Sequence, residues 1–227
     1  MCAAMDKRDT RMAIVMCHPV IPDHRDEAAQ KRLVWLRRFI PNTQIHHWCK
    51  PQLGMLDSWN QAMLEVANAP DYIEECLFIH DDVIPDDRSE LIWERDEDVV
   101  CCRFEADAPW LWNSRKAFHN AMFRVKRKVI EVVPGPWWVW QKHWDEAADN
   151  IVGCICNYFS RKAQSYLYTV ANTGECQHLN LGKWGKIPKL STRQSPPSKI
   201  SKNIWDRQMK HFRKQKADRL KEIRNGK

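Results

Sequence analysis

Apolar residues along this chain fall into short unbroken runs that alternate with stretches of helical period. That alternation predicts an α/β fold. Met12 to Cys17 is too short for a helix and reads as a buried strand, with His18-Pro19 and Pro22 turning the chain after it. Over 27–40, Ala28, Leu33, Leu36 and Ile40 recur at roughly helical spacing behind a capping Asp26, and Pro41-Asn42 ends the helix. Thr43 to Trp48 reads as a second strand and Pro51 to Gly54 as a loop. Met55 to Ala67 sets Met55, Trp59, Met63 and Val66 on one stripe, a second helix that Asn68-Ala69-Pro70 breaks. Cys76 to Ile79 is a third short apolar run. Strand, helix, strand, helix, strand before Pro85 argues for a parallel sheet with right-handed crossovers.

The third strand runs through His80 into two adjacent carboxylates, Asp81 and Asp82, and Pro85 stops any continuation. In open α/β sheets ligands sit outside the carboxyl ends of the strands, where paired carboxylates suit a divalent cation. Acids after a strand also serve simply to cap a turn. The chain contains no GxGxxG and no GxxxxGK[ST], which excludes both glycine-loop ways of cradling a phosphate. An acidic strand edge without a glycine loop suits a site where a cation, rather than backbone amides, neutralises a diphosphate.

Gly54, then Asn60-Gln61-Ala62, then Leu77 to Pro85 resembles the nucleotide-binding half of GT-A glycosyltransferases, in particular the large inverting family. The resemblance implies a GT-A-like (Rossmann-like) mostly parallel sheet flanked by helices over residues 1–190. It implies that the acids bind Mn²⁺ or Mg²⁺ on the diphosphate of a nucleotide sugar, with a UDP-sugar as the expected donor. The chain departs from the family's Asp-x-Asp in having His80 first, giving His80-Asp81-Asp82. On this pattern Asp82 is the first metal ligand, with Asp81 beside it. His80 is a ligand, a ribose contact or a plain strand-end histidine, and Asn60 belongs to the nucleotide-binding set. Asp98 to Phe104 reads as the next strand.

Asp145, Glu146 and Asp149 open a helix running to about Gln164, with Ile151, Cys154, Ile155, Tyr158 and Phe159 as its apolar face. Acids at a helix N-terminus are favoured by the dipole alone. The family places a catalytic acid at the start of such a helix, then a strand, then a histidine that completes the metal site. The resemblance therefore makes Asp149 the base, with Asp145 and Glu146 its nearest rivals. Ser165 to Val170 becomes the strand and His178 the second metal ligand. Inverting transfer needs such a base to take the acceptor hydroxyl's proton.

Charge changes the picture at the C-terminus. The net charge is +7, yet from Arg193 onward there are twelve Lys/Arg against three Asp/Glu, so the preceding residues are slightly acidic. Gly182, Gly185, Pro188 and Ser195-Pro196-Pro197-Ser198 mark a flexible segment. Beyond it Ile204, Trp205, Met209, Phe212, Leu220 and Ile223 interleave with Lys210, Arg213 and Lys214, which predicts an amphipathic helix over 201–224. Residues 191–227 thus form a basic tail, helical or flexible, suited to nucleic acid, an anionic membrane surface or a partner protein.

Arg124, Lys126, Arg127 and Lys128 form a second basic run, either a solvated helix face or a phosphate-contacting patch. Residues 106–140 carry Trp110, Trp112, Trp137, Trp138 and Trp140, as core or as stacking faces for a sugar or base. Nine cysteines without a CxxC pair suit buried thiols in a reducing cytosol. No signal peptide and no eighteen-residue apolar run is present, so a soluble cytoplasmic protein, of a cell or a phage-infected host, is expected.

In size the chain resembles phage-encoded glycosyltransferases that modify DNA. The expected function is a metal-dependent transfer of sugar to a hydroxymethylated base in DNA. The alternatives are a glycan or lipid-linked acceptor, and a non-catalytic nucleic-acid-binding GT-A scaffold.

Overall fold

Runs of apolar residues become strands here because both faces of the sheet are covered, so neighbouring positions are buried alike. The computed structural model describes residues 7–16, 25–48, 55–81, 83–104, 122–138, 158–178 and 199–226. Its strands are β1 (Arg11–Met16), β2 (Ile45–Trp48), β3 (Glu75–His80), β4 (Val83–Pro85), β5 (Val99–Phe104), β6 (Met122–Lys126) and β7 (Val170–His178). Its helices are α1 (Arg25–Arg37), α2 (Met55–Ala67), α3 (Arg127–Val132), α4 (158–165) and α5 (Lys199–Arg224).

The strands form one seven-stranded sheet in the order β2-β1-β3-β6-β5-β7-β4. β1 pairs parallel with β2 and β3, and β5 parallel with β7. β6 runs antiparallel between β3 and β5, and β4 antiparallel along β7. The fold is therefore a mostly parallel α/β sheet flanked by helices, as the sequence implied. The carboxyl ends of β1, β2, β3, β5 and β7 share one edge, where Met16 stands level with both Trp48 and His80.

Side chains alternate between two cores, as the pleat requires. One joins Ile14, Phe78 and Phe123 to Trp59, Met63 and Val66 of α2 and to Trp138 and Phe159. Its centre is aromatic: the Phe78 and Phe123 rings stack at 4.9 Å, and Trp59 lies 5.6 Å from Phe78 and 5.4 Å from Trp138. Such pairs add about 0.5–1.5 kcal/mol each beyond area burial. Trp137 and Trp138 are thus core residues, while Trp110, Trp112 and Trp140 lie outside the described residues. The other core joins Val15, Leu77, Ile79 and Val100 to Trp35 and Leu36 of α1. Cys76, Cys101, Cys102 and Cys176 are buried free thiols.

Two expectations need correction. Ser165 to Val170 is not a strand. α4 runs through Ser165, whose hydroxyl donates to the Lys162 carbonyl, and the chain then turns at Leu167 with a left-handed φ of 68°. β7 begins only at Val170. The basic run is also no single helix face, because Arg124 belongs to β6 and points into the protein at 1% exposure. Its guanidinium pairs with Glu75 and donates to the carbonyls of Ile92 (2.9 Å), Arg95 (2.6 Å) and Glu97 (3.0 Å). It is an internal strut for the 92–97 connection, out of reach of any phosphate.

Asp98, next to the start of β5, accepts hydrogen bonds from the Thr169 amide (3.0 Å) and hydroxyl (2.8 Å) and pairs with Lys128 at 2.8 Å. Burial raises its carboxyl pKa, but the Lys128 and Thr169 hydrogen bonds outweigh it and bring the value down to about 2. The folded pKa is depressed, so this stabilisation is full above the ordinary carboxylate value and is lost as pH falls towards 2. It amounts to about 2 kcal/mol. Urea titrations between pH 5 and pH 2 should show Asp98→Asn missing that part of the acid sensitivity; parallel curves for both proteins would refute it. Arg124→Met leaves the Glu75 carboxylate with Arg11 alone and removes the donor for the 92–97 carbonyls. It should cost about 3 kcal/mol or more in urea unfolding, and a loss below about 1 kcal/mol would show the strut to be dispensable.

Candidate functional site at the carboxyl edge of the sheet

A turn that leaves a buried strand carries carbonyls that need donors. Here the donors come from α1. Arg32, 3% exposed, donates to the carbonyls of Asp81 (2.7 Å) and Val83 (3.3 Å), one on each side of residue 82. One helical turn on, the Trp35 indole donates to the Asp86 carbonyl at 3.1 Å, and beyond it Arg38 pairs with Glu90 at 2.7 Å. The Asp81 amide donates to the Met16 carbonyl at 3.0 Å, tying the turn to the end of β1. Asp86 then caps a 3₁₀ helix, Asp87–Ile92, its carboxylate accepting from the Arg88 amide and its own amide bonding Ser89. The acidic turn is thus fastened by Arg32, and the segment after it by Trp35 and, just past the end of α1, Arg38.

Asp81 is partly exposed in this turn, and Asp82 lies outside the described residues. His80 is buried, its ring 5.2 Å from that of Trp59. Burial and the Arg32 charge together lower the pKa of His47, on β2. β4 follows the acids and pairs antiparallel with the end of β7, so that Val83 stands opposite His178. The backbone at 178 is therefore brought beside the chain that has just passed residue 82. Among the described residues, no group of three or more His, Cys, Asp or Glu gathers as a metal set.

Asn60 does different work from the nucleotide contact expected of it. Its amide nitrogen donates to the Trp138 carbonyl at 2.6 Å, and its oxygen accepts from the backbone amides of Trp137 (2.9 Å) and Trp138 (3.0 Å). Both acceptor positions of the side chain are used. From the other side, Lys162 of α4 donates to the carbonyls of Pro134 and Pro136, and burial brings its ammonium pKa down to about 8. The 134–138 segment is clasped from two helices just before 139–157. Asp145, Glu146 and Asp149 fall in that stretch and lie outside the described residues.

The expected nucleic-acid contacts divide into two groups. Lys126 stands opposite Glu75, the first residue of β3, and so lies at the edge away from His80. Lys126 and Lys128 pair with Asp98, and Arg127 pairs with Asp71 and Glu131 and donates to the Pro70 carbonyl. Lys210, Arg213 and Lys214 are exposed on α5. Arg32 went unread in the sequence. Its signal was a charged residue three and four positions before Trp35 and Leu36, on the core-facing side of a helix, where a charge needs partners.

Neither a protein-family model nor a curated protein sequence matches this chain. Among solved structures it is similar to A197 from STIV, at 13% identity and TM-score 0.47, over 73% of this chain and 83% of that one. It is also similar to a protein of Desulfovibrio desulfuricans provisionally assigned as a nucleotide-diphospho-sugar transferase. That overlap has 12% identity and TM-score 0.38, over 90% of this chain and 77% of that one. Overlaps of this size describe a likeness in the course of the chain and assign no activity.

Arg32→Met keeps the aliphatic stem and removes the donor, leaving the Asp81 and Val83 carbonyls of the turn without it. The expected cost is about 1–3 kcal/mol in thermal or urea unfolding, with faster amide exchange concentrated over 81–92. An exchange pattern indistinguishable from the parent protein would remove Arg32 from its place as the fastening of the turn.

Proposed function

We propose that the chain is a metal-dependent, inverting glycosyltransferase that moves a sugar from a nucleotide-sugar donor, a UDP-sugar, to an acceptor hydroxyl. Residues 1–190 are its transferase domain and 191–227 a basic tail. The observation that carries this reading is the pairing of Val83 with His178 at the carboxyl edge of a mostly parallel sheet. It brings the backbone after Asp82 beside the backbone of the one later histidine that the GT-A resemblance requires.

The donor set fits the group it would hold. Asp82 and Asp81 supply carboxylate oxygens, which suit Mn²⁺ and Mg²⁺, and His178 adds an imidazole nitrogen. When bound, such a cation neutralises the donor diphosphate and the charge that develops on it as it leaves. The chain's own residues do the rest. Arg32 holds the main chain of the acidic turn in one geometry, and His80 closes the edge against Trp59. Asp149 takes the proton of the acceptor hydroxyl while its oxygen bonds to the anomeric carbon, as the bond to the diphosphate oxygen breaks on the opposite face. Asp145 and Glu146 are the alternatives for that role. The acceptor is a hydroxymethylated base in DNA, in the cytoplasm of a cell or a phage-infected host. The exposed cations of α5 support a polyanionic acceptor. No helix among the described residues is long and apolar enough to cross a membrane.

Calorimetry with a panel of nucleotide sugars and Mn²⁺, on two variants, tests the assignment. Asp82→Ala should weaken metal-dependent donor binding by more than the roughly 10–100-fold that loss of a residue merely supporting a ligand costs. Asp149→Asn should bind donor normally while transfer falls about 10²–10⁴-fold. Undiminished binding in the first would displace Asp82 as ligand, and normal turnover in the second would move the base elsewhere. Failure of every donor to bind the parent protein would favour a non-catalytic scaffold.

A further inference from the structure

The C-terminal helix has two opposite sides with opposite assignments. Phe212, 4% exposed, packs its ring edge-on against Tyr158 at 5.2 Å, and the Gln215 side-chain amide lies within hydrogen-bond distance of the Ser165 hydroxyl at 3.2 Å. These contacts hold α5 against α4. At about 100° per residue, Phe212 lies about 200° round the helix from Lys210. The face opposite the docked one therefore carries Lys210, Lys214, Ala217, Lys221 and Arg224, spaced i, i+4, i+7, i+11 and i+14, with Arg213 alongside. All of these are exposed. The helix's acids in this stretch, Asp218 and Glu222, lie to one side, and Glu222 is already paired with Arg219 at 3.0 Å.

Lys210 and Arg224 are fourteen residues apart, so the row of cations extends about 21 Å. It is unbroken, because the helix is continuous from Lys199 to Arg224. Self-repulsion makes an unbroken row of like charges costly to keep without a polyanion. Two polyanionic surfaces fit a basic helix, and the docking decides between them. A helix that lies in a bilayer inserts its apolar face. Here Phe212 is committed to α4, and among the described side chains beyond it the large apolar residues left exposed are Leu220 and Ile223. A row of cations with so little apolar surface beside it suits a phosphate backbone, which is bound chiefly by neutralisation.

We propose that α5 is a duplex-DNA-binding rod, docked on α4 by its Phe212 side and gripping phosphates with Lys210, Arg213, Lys214, Lys221 and Arg224. It rests on the proposed transfer reaction only for what the bound duplex is used for, as acceptor; the binding itself needs neither donor nor metal. The basic cluster of Lys126, Arg127 and Lys128 contributes nothing to it, since those cations are neutralised within the fold.

The test is fluorescence anisotropy of the full chain with a labelled 20-base-pair duplex, without donor or Mn²⁺, from 50 to 300 mM salt. Five neutralised phosphates give a log–log slope of roughly −4.5. The quintuple Gln variant K210Q/R213Q/K214Q/K221Q/R224Q, all at exposed positions, should flatten the slope by about 4 and weaken binding about 100-fold or more at the lowest salt. The triple variant K126Q/R127Q/K128Q, if folded by circular dichroism, should keep the parent slope. A quintuple variant with the parent's slope overturns the proposal. So does a parent protein that ignores the duplex and instead binds vesicles containing phosphatidylserine, with quenching at the C-terminal tryptophan. Because donor binding is read separately by calorimetry, loss of either reading leaves the other standing.

Discussion

The backbone on either side of position 82 presents carbonyls that need a donor. One buried guanidinium meets that requirement: Arg32 donates to the carbonyls of Asp81 and Val83. A guanidinium suits the task because its donors lie in a rigid plane and remain charged in any solvent-accessible pH range. α1 thereby becomes more than a cover for the sheet. Arg32, Trp35 and Arg38 contact Asp81, Asp86 and Glu90 in turn, on either side of the β4 strand that pairs with β7.

The same device recurs away from the edge. Arg124 holds the 92–97 connection by its carbonyls, and Asn60 with Lys162 holds residues 134–138 from two sides. In each case a polar side chain enters the interior with its hydrogen bonds satisfied by loop backbone. That is the condition under which such burial is tolerated at all. The common result is that the loops next to the candidate site are positioned by side chains from the scaffold, whose own positions the two cores set.

Function on this fold depends on bringing distant segments to one edge. Parallel β1, β2 and β3 deliver their carboxyl ends side by side, and β7 reaches the same edge from the far half of the sheet. β6, running the other way, places Lys126 and the neutralised cations around Asp98 at the opposite edge. The basic helix is held apart from both, docked on α4 with its charge outward.

Local pattern carried much of this molecule. Helix Met55–Ala67, strand Glu75–His80 and the C-terminal amphipathic helix were legible because periodicity is a property of neighbours in sequence. The alternation of elements likewise implied a mostly parallel sheet. Residue roles were another matter. Asn60 was read as a ligand contact and proves to be a clasp, because the Trp137 and Trp138 amides it binds lie 77 and 78 positions away. Arg124 was read as surface charge and proves to be buried, because the antiparallel insertion of β6 turns it towards Glu75, 49 positions distant. Arg32, never singled out, governs the acidic turn across 49 and 51 positions. The sequence determined which segments form helices and strands, since hydrophobic period acts locally. Only the tertiary structure decided which polar groups are free and which hold loops, since a hydrogen-bond partner is chosen by the packing of segments remote along the chain.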